Sequence, residues 1–147
     1  MDENQSRERQ RRVGNTMTKE EARVRLAMHA GKGETFTQGY RYAVKYGFPS
    51  LSSLKEQFDE LFLCLKELLK EPYGAEQKEL FADLSEIILG SILYINRQGK
   101  QYRVVGVFAE VLAETMYNIA EGVENPFEAF DAYPDNYDDI LWEAASE

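Results

Sequence analysis

Apolar residues recur at intervals of three and four along most of this 147-residue chain. That spacing matches the 3.6-residue turn of an α-helix, so the apolar side chains of each run share one face. Three long runs show the pattern, over residues 51–69, 80–95 and 105–120. An all-α fold is the simplest prediction, because helices with one apolar face bury it by packing against one another.

Two segments in the later runs allow a different interpretation. Ile92–Asn96 and Tyr102–Phe108 are rich in β-branched and aromatic residues and flank a turn that contains Gly99. This combination is typical of a β-hairpin. The helical period extends well beyond each segment, so we favour two long helices and keep the hairpin as the alternative.

Capping residues predict where the first helices begin. Thr18 and Glu21 have the spacing of a capping box, in which each side chain bonds the other residue's backbone N–H. The short helix that follows should end before Gly31, since glycine is favoured just past a helix terminus. Thr35 or Thr37 is expected to cap a second short helix.

The second helix is expected to end near Gly47, and a longer third helix should follow Pro49. Ser53 and Glu56 have the spacing of a second capping box. Pro72 should stop the third helix, because proline lacks the backbone N–H and clashes with the preceding turn.

Composition divides the chain into three parts. A compact all-α bundle of about five helices is expected over residues 17–122. Residues 1–16 are almost entirely polar and contain four arginines, so we expect a disordered basic arm. Residues 123–147 are an acidic, aromatic C-terminal segment.

Charge is distributed unevenly along these parts. Residues 1–49 contain ten Lys and Arg against six Asp and Glu, whereas residues 101–147 contain one against eleven. Arg103 is the last basic residue, and the chain as a whole has a net charge of −9. An acidic segment such as residues 101–147 repels nucleic acid and attracts basic surfaces.

The C-terminal segment is the predicted partner-binding surface, because it interleaves carboxylates with aromatic residues. The carboxylates begin at Glu121 and continue as Glu124, Glu128, Asp131, Asp135, Asp138, Asp139, Glu143 and Glu147. The aromatic residues are Phe127, Phe130, Tyr133, Tyr137 and Trp142. Two prolines exclude one continuous helix, so the segment is either a strap docked on the bundle or an exposed peptide that docks on a partner.

A nucleic-acid-binding surface in the basic N-terminal half is the alternative. The segment Phe36–Phe48 places five aromatic residues around two basic ones, and such residues can stack on bases and contact phosphates. The candidate residues are Arg9, Arg11, Arg12, Tyr40, Arg41, Tyr42 and Lys45. In this interpretation the acidic segment competes with nucleic acid for the basic surface.

The scarcity of histidine and cysteine limits the metal sites and catalytic sites that this chain can form. His29 is the only histidine and Cys64 the only cysteine, so the chain cannot build a Cys/His zinc site or a ferritin-like di-iron site by itself. Cys64 lies among leucines and is expected to be a buried thiol. We therefore expect no metal centre, no cofactor and no enzymatic activity.

One catalytic resemblance is present. Arg23 and His29 are separated by five residues on the first predicted helix, which resembles the Arg-x(4–6)-His signature of HEPN ribonucleases. That family also consists of small helical bundles. The resemblance implies an RNA-cleaving role for Arg23 and His29 as a minor alternative.

These observations favour a non-enzymatic interaction protein that presents an acidic surface to a basic partner. Phage or plasmid proteins that inhibit host defence nucleases, and immunity proteins, work in this way, so the expected partner is a nucleic-acid-binding enzyme. No apolar run approaches the roughly 18 residues of a membrane-spanning helix, and a cytoplasmic location without membrane contact is expected. Whether the chain forms a homo-oligomer stays open.

Overall fold

The computed structural model describes residues 17–70, 77–94 and 101–146. These residues form seven α-helices and one short 3₁₀ turn, with no strand among them. The elements are α1 (Lys19–His29), a 3₁₀ turn (Phe36–Gln38), α2 (Tyr40–Tyr46), α3 (Leu51–Leu68), α4 (Gln77–Tyr94), α5 (Gln101–Glu121), α6 (Glu128–Asn136) and α7 (Asp138–Ala145).

The all-α prediction is confirmed. The hairpin alternative is wrong for the described part of both segments, because 92–94 belongs to α4 and 102–108 belongs to α5. The expected bundle of about five helices agrees with α1–α5 within residues 17–122, and the C-terminal segment adds α6 and α7. Residues 1–16, with the predicted basic arm, lie outside the described residues.

Two of the helix starts differ from the predicted caps. Thr18 caps α1 as expected and accepts from the Glu21 backbone N–H at 3.0 Å. Helix α3, however, begins after Ser50, whose hydroxyl accepts from the Ser53 N–H at 3.1 Å, so Ser53 is not the cap of a second box. The helix ends at Leu68, and Pro72 lies outside the described residues.

The N-cap residue of α2 is Gly39 instead of a threonine, and close packing explains this. A Cβ on Gly39 would lie 2.2 Å from the Met28 carbonyl oxygen, so only glycine lets the chain pass this close to α1. Thr35 makes no side-chain cap, and the Tyr40 backbone N–H instead donates to Nδ1 of His29 at 3.0 Å.

Helix α3 contributes seven buried residues to the hydrophobic core. It packs against α1, while α4 packs against α5. Phe58 of α3 is fully buried and stacks on Phe108 of α5, with ring centroids 4.1 Å apart and planes 9° apart. Stacked and edge-on aromatic pairs add roughly 0.5–1.5 kcal/mol beyond the area they bury, so these rings anchor the bundle.

The C-terminal segment extends this aromatic core. Phe130 of α6 stacks on Phe62 of α3 at 4.0 Å, and Tyr133 meets Phe58 edge-on at 5.6 Å. The segment is therefore a strap docked on the bundle, as the first of the two interpretations has it. Pro134 lies inside α6, and the break between the last two helices falls at Tyr137.

No helix in the described ranges combines the length and the apolar character that crossing a bilayer requires.

Candidate partner-binding surface

Helices α6 and α7 expose most of the predicted carboxylates to solvent. None of the following six forms an ion pair with another described residue: Glu121, Glu124, Glu128, Asp135, Asp138 and Asp139. Their charges are therefore not neutralised by the described part of the bundle. Glu147, the last predicted carboxylate, lies outside the described residues.

Two carboxylates of the strap do meet basic residues of the bundle. Asp131 lies 3.7 Å from Lys66, and Glu143 accepts from Arg103 at 2.7 Å. The Lys66 ammonium also lies over the rings of Phe127 and Phe130, at 5.3 and 5.2 Å from their centroids. Exposed ion pairs stabilise proteins by at most about 1 kcal/mol, so the aromatic packing holds the strap and these pairs set its register.

Burial divides the five predicted aromatic residues into two classes. Tyr133 is 1% exposed, and its hydroxyl donates to Oδ1 of Asp59 at 3.0 Å. Burial, reinforced by the Asp59 carboxylate, raises the pKa of this phenol. Phe127, Phe130 and Tyr137 are half-buried, whereas Trp142 is 74% exposed. Of the five, Trp142 alone presents most of its ring to solvent.

Trp142 borders a groove where α7 meets the first turns of α3 and α5. The groove has a volume of about 470 Å³. Its wall is mostly apolar, with one carboxylate and one ammonium at the rim, and consists of Ser50, Leu51, Ser52, Lys55, Gln101, Asp138, Leu141, Trp142 and Ala145. An exposed tryptophan beside an apolar groove is a common anchor of protein interfaces.

The alternative nucleic-acid-binding residues are mostly engaged within the protein. Tyr40 is 1% exposed and cannot stack on a base in this conformation. Arg41 lies 3.3 Å from Glu86, next to Gly90. Tyr42 and the exposed Lys45 line a smaller depression of about 180 Å³, together with Gly31, Phe36, Arg41, Tyr46 and Tyr94. Arg9, Arg11 and Arg12 lie outside the described residues.

His29 is the centre of a hydrogen-bond network that the sequence did not predict. Its ring is fully buried, and Nδ1 accepts from the Tyr40 backbone N–H. The ring proton therefore lies on Nε2, which donates to Oε2 of Glu60 at 2.6 Å. Arg25 donates to the other Glu60 oxygen at 3.0 Å. The hydrogen bond from His29 lowers the pKa of Glu60, against the opposing effect of burial.

This network leaves His29 no free ring nitrogen for a substrate. Both nitrogens are used to join α1, α2 and α3, and Arg23 lies beside Glu20 at 3.6 Å on the partly exposed side of α1. The geometry thus gives the HEPN resemblance no support. Burial raises the pKa of the Cys64 thiol to about 12, so its reactive thiolate form is scarce near neutral pH.

Within the described ranges no three His, Cys, Asp or Glu side chains converge as metal ligands would. Comparison of the sequence and structure with protein-family models, curated proteins and solved structures gave no match. The functional argument therefore depends on the side chains of this chain alone.

Proposed function

We propose that this chain is a non-enzymatic interaction protein that binds a basic partner protein through α7 and the adjoining carboxylates of α6. The observation that carries the proposal is Trp142, a large apolar ring that is 74% exposed beside the groove. A ring of this size is normally buried or held at an interface, because exposing it forfeits a large apolar contribution.

The charges around Trp142 indicate which partner it suits. Asp138 and Asp139 lie on the same helix and are exposed, and neither pairs with a described cation. Unpaired carboxylates accelerate encounter with a positive surface and select against acidic proteins and nucleic acid. The partner is therefore a protein with a basic surface, and one that uses this surface to bind nucleic acid would be blocked by occupation of it.

The rigidity of the strap favours tight binding. Because Phe130 and Tyr133 are fixed in the core, α6 holds the carboxylates in place before any partner arrives. Preorganisation lowers the entropy cost of association. The chain thus acts as an inhibitor or adaptor, in the way that phage or plasmid anti-defence proteins and immunity proteins do.

Affinity capture with point variants tests the proposal. The variant Trp142→Ala with Asp138→Asn and Asp139→Asn is compared with the wild type in a nuclease-treated bacterial lysate at low salt. We expect a basic protein that the wild type retains and that the variant retains at least about tenfold less, since anchor residues contribute about 2 kcal/mol or more. Point variants are preferable to truncation, because removal of residues 123–147 would uncover Phe58 and Phe62.

The matched control removes one exposed apolar side chain and two exposed carboxylates elsewhere. Val24→Ala with Glu34→Gln and Glu79→Gln makes the same change in net charge, at exposed residues that do not line the groove. Equal capture by the wild type and both variants would contradict the proposal. Loss of capture on nuclease treatment would instead favour nucleic-acid binding around Lys45 and Tyr46.

A further inference from the structure

Helix α4 carries an apolar face that no described residue covers. Leu89 and Ile92 are each 52% exposed, and Leu93 is 63% exposed. Their neighbours on the opposite face of α4, Leu84 and Ile87, are buried in the core. The helix is therefore apolar on both sides, whereas a helix at the surface of a monomer is normally polar on its outer side.

The outer residues of α4 form a regular stripe. Ala82, Ser85, Leu89 and Ile92 are all exposed and are separated by three, four and three residues. That alternation places four side chains in one row, as at the contact seam of paired helices. The row has small residues in its first half and large residues in its second half.

Neither of the two charged residues of α4 between Ala82 and Tyr94 belongs to this stripe. Asp83 is buried and accepts from Lys32 at 2.6 Å. Glu86 lies 3.3 Å from Arg41. The stripe is therefore uncharged over its whole length.

Helix α5 continues the apolar surface beside α4. The Ser85 hydroxyl lies 4.0 Å from the sulfur of Met116, which fixes the level at which the two helices meet. Next to it on α5, Tyr117 is 63% exposed, and Ala113 is exposed one turn away. The stripe on α4 extends about 15 Å, from Ala82 to Ile92, and the exposed Lys78 lies one turn before it.

We propose that this face binds a second copy of the chain, with the two α4 helices antiparallel about a two-fold axis. Such an axis places Ala82 opposite Ile92 of the second copy and Ser85 opposite Leu89. Each small side chain then faces a large one, in both halves of the contact. A two-fold interface brings the same patch together with itself, so the small and large halves of the stripe complement each other.

Charge also favours a second copy over a different protein. A chain of net charge −9 repels its own copies through most of its surface, and the stripe is the exception. An uncharged face has no group that selects a charged partner, and subunit interfaces of homodimers are more apolar than other interfaces. The stripe is short, so we expect the dimer to be weak.

Sedimentation measures the predicted association directly. Because interfaces of this size are weak, the wild type is examined up to about 100 µM, where we expect the dimer mass. Leu89→Glu with Ile92→Glu should give the monomer mass, since the dimer would bury four unpaired carboxylates against Ala82 and Ser85 of the two copies. The matched control, Val24→Glu with Leu63→Glu, changes two exposed apolar residues on α1 and α3 and should stay dimeric.

Far-UV circular dichroism of all three proteins shows whether their helices are intact. A wild type that stays monomeric up to about 100 µM would overturn the proposal, as would equal dissociation of both variants. A folded Leu89→Glu and Ile92→Glu variant that remains dimeric would show that the contact lies elsewhere.

Disulfide cross-linking tests the antiparallel arrangement. The double variant Ala82→Cys with Ile92→Cys should form covalent dimers under mild oxidation, because each introduced thiol faces its counterpart across the axis. Either single variant should form none, since residues 82 and 92 lie about 15 Å apart along α4. Efficient cross-linking of Ala82→Cys alone would contradict the two-fold arrangement.

Discussion

Replacing Glu60 with glutamine isolates the charge of the network that joins the first three helices. Glutamine has nearly the same shape, so no cavity forms on α3. The carboxylate accepts from Nε2 of His29 at 2.6 Å and from Arg25 at 3.0 Å. A glutamine keeps one acceptor oxygen and turns an N–H group toward the other donor, so one of these two contacts is lost and the other becomes uncharged.

The structure sets the size of the effect. A hydrogen bond to a charged group contributes about 1.5–3 kcal/mol and a neutral one about 0.5–1.5, so the His29 bond loses about 1 kcal/mol. Arg25 is about half exposed, and its pair with Glu60 adds less than about 1 kcal/mol. We therefore expect Glu60→Gln to lower the free energy of unfolding by about 1–2 kcal/mol near neutral pH.

The effect must depend on pH in one direction. The His29 hydrogen bond holds the pKa of Glu60 in the folded protein below its unfolded value, which is about 4.3. The stabilisation is therefore fully present above that value and is lost as the pH falls through the lower, folded pKa. At still lower pH the wild-type side chain is protonated in both states, and the difference between wild type and variant should disappear.

Urea unfolding followed by far-UV circular dichroism, repeated as the pH is lowered, measures this difference. Glu56→Gln is the matched control, because Glu56 lies on the same helix, is exposed and forms no ion pair with a described residue. Its cost should stay within about 0.5 kcal/mol. A loss for Glu60→Gln that is equal at low and neutral pH would refute the role of its charge.

Three further substitutions test the packing at Tyr40 and at two glycines. Tyr40→Phe should leave the free energy of unfolding unchanged or raise it slightly in the same urea assay, because the buried Tyr40 hydroxyl forms no hydrogen bond of good geometry with a described residue, and the nearby Ser91 hydroxyl donates to the Ile87 carbonyl; a loss above about 1 kcal/mol would reveal a bond to the Tyr40 hydroxyl. Gly39→Ala should lower the thermal midpoint more than Gly90→Ala. The new methyl group meets the backbone of Met28 at Gly39, whereas at Gly90 it meets only the movable side chain of Arg41. At Gly90, alanine also favours the helix. Equal thermal midpoints for the two variants would show that the α1–α2 contact tolerates a methyl group.

The elements of this fold were predictable where the signal is local. The spacing of apolar residues and the Thr18 cap depend on a few neighbouring residues, and both predicted helices correctly. The start of α2 was not predictable, because Gly39 is required by the Met28 carbonyl, and the predicted cap is replaced by a histidine side chain from another helix. Each of those contacts joins residues that are ten or more positions apart.

The candidate surface was predictable in its charge but not in its shape. Carboxylates lie at the surface because burial of an unpaired charge is unfavourable. Composition alone therefore predicts that the carboxylates after Glu121 are exposed. Tyr133 and Trp142 belong to the same acidic, aromatic segment, yet one is 1% and the other 74% exposed. Helix periodicity would separate them only if the positions of both helix axes on the bundle were known.

The aromatic contacts between α3 and α6 also determine the order in which the molecule assembles. The bond from Tyr133 to Asp59 closes a loop of 74 residues, whereas the bond from His29 to Glu60 closes one of 31. Loop-closure entropy makes the longer loop about 0.8 kcal/mol more costly, and distant contacts slow folding. The first three helices should therefore associate early, and the acidic helices should dock on a core that is already partly formed. We therefore expect the surface proposed for partner binding to be the last region to reach its native arrangement.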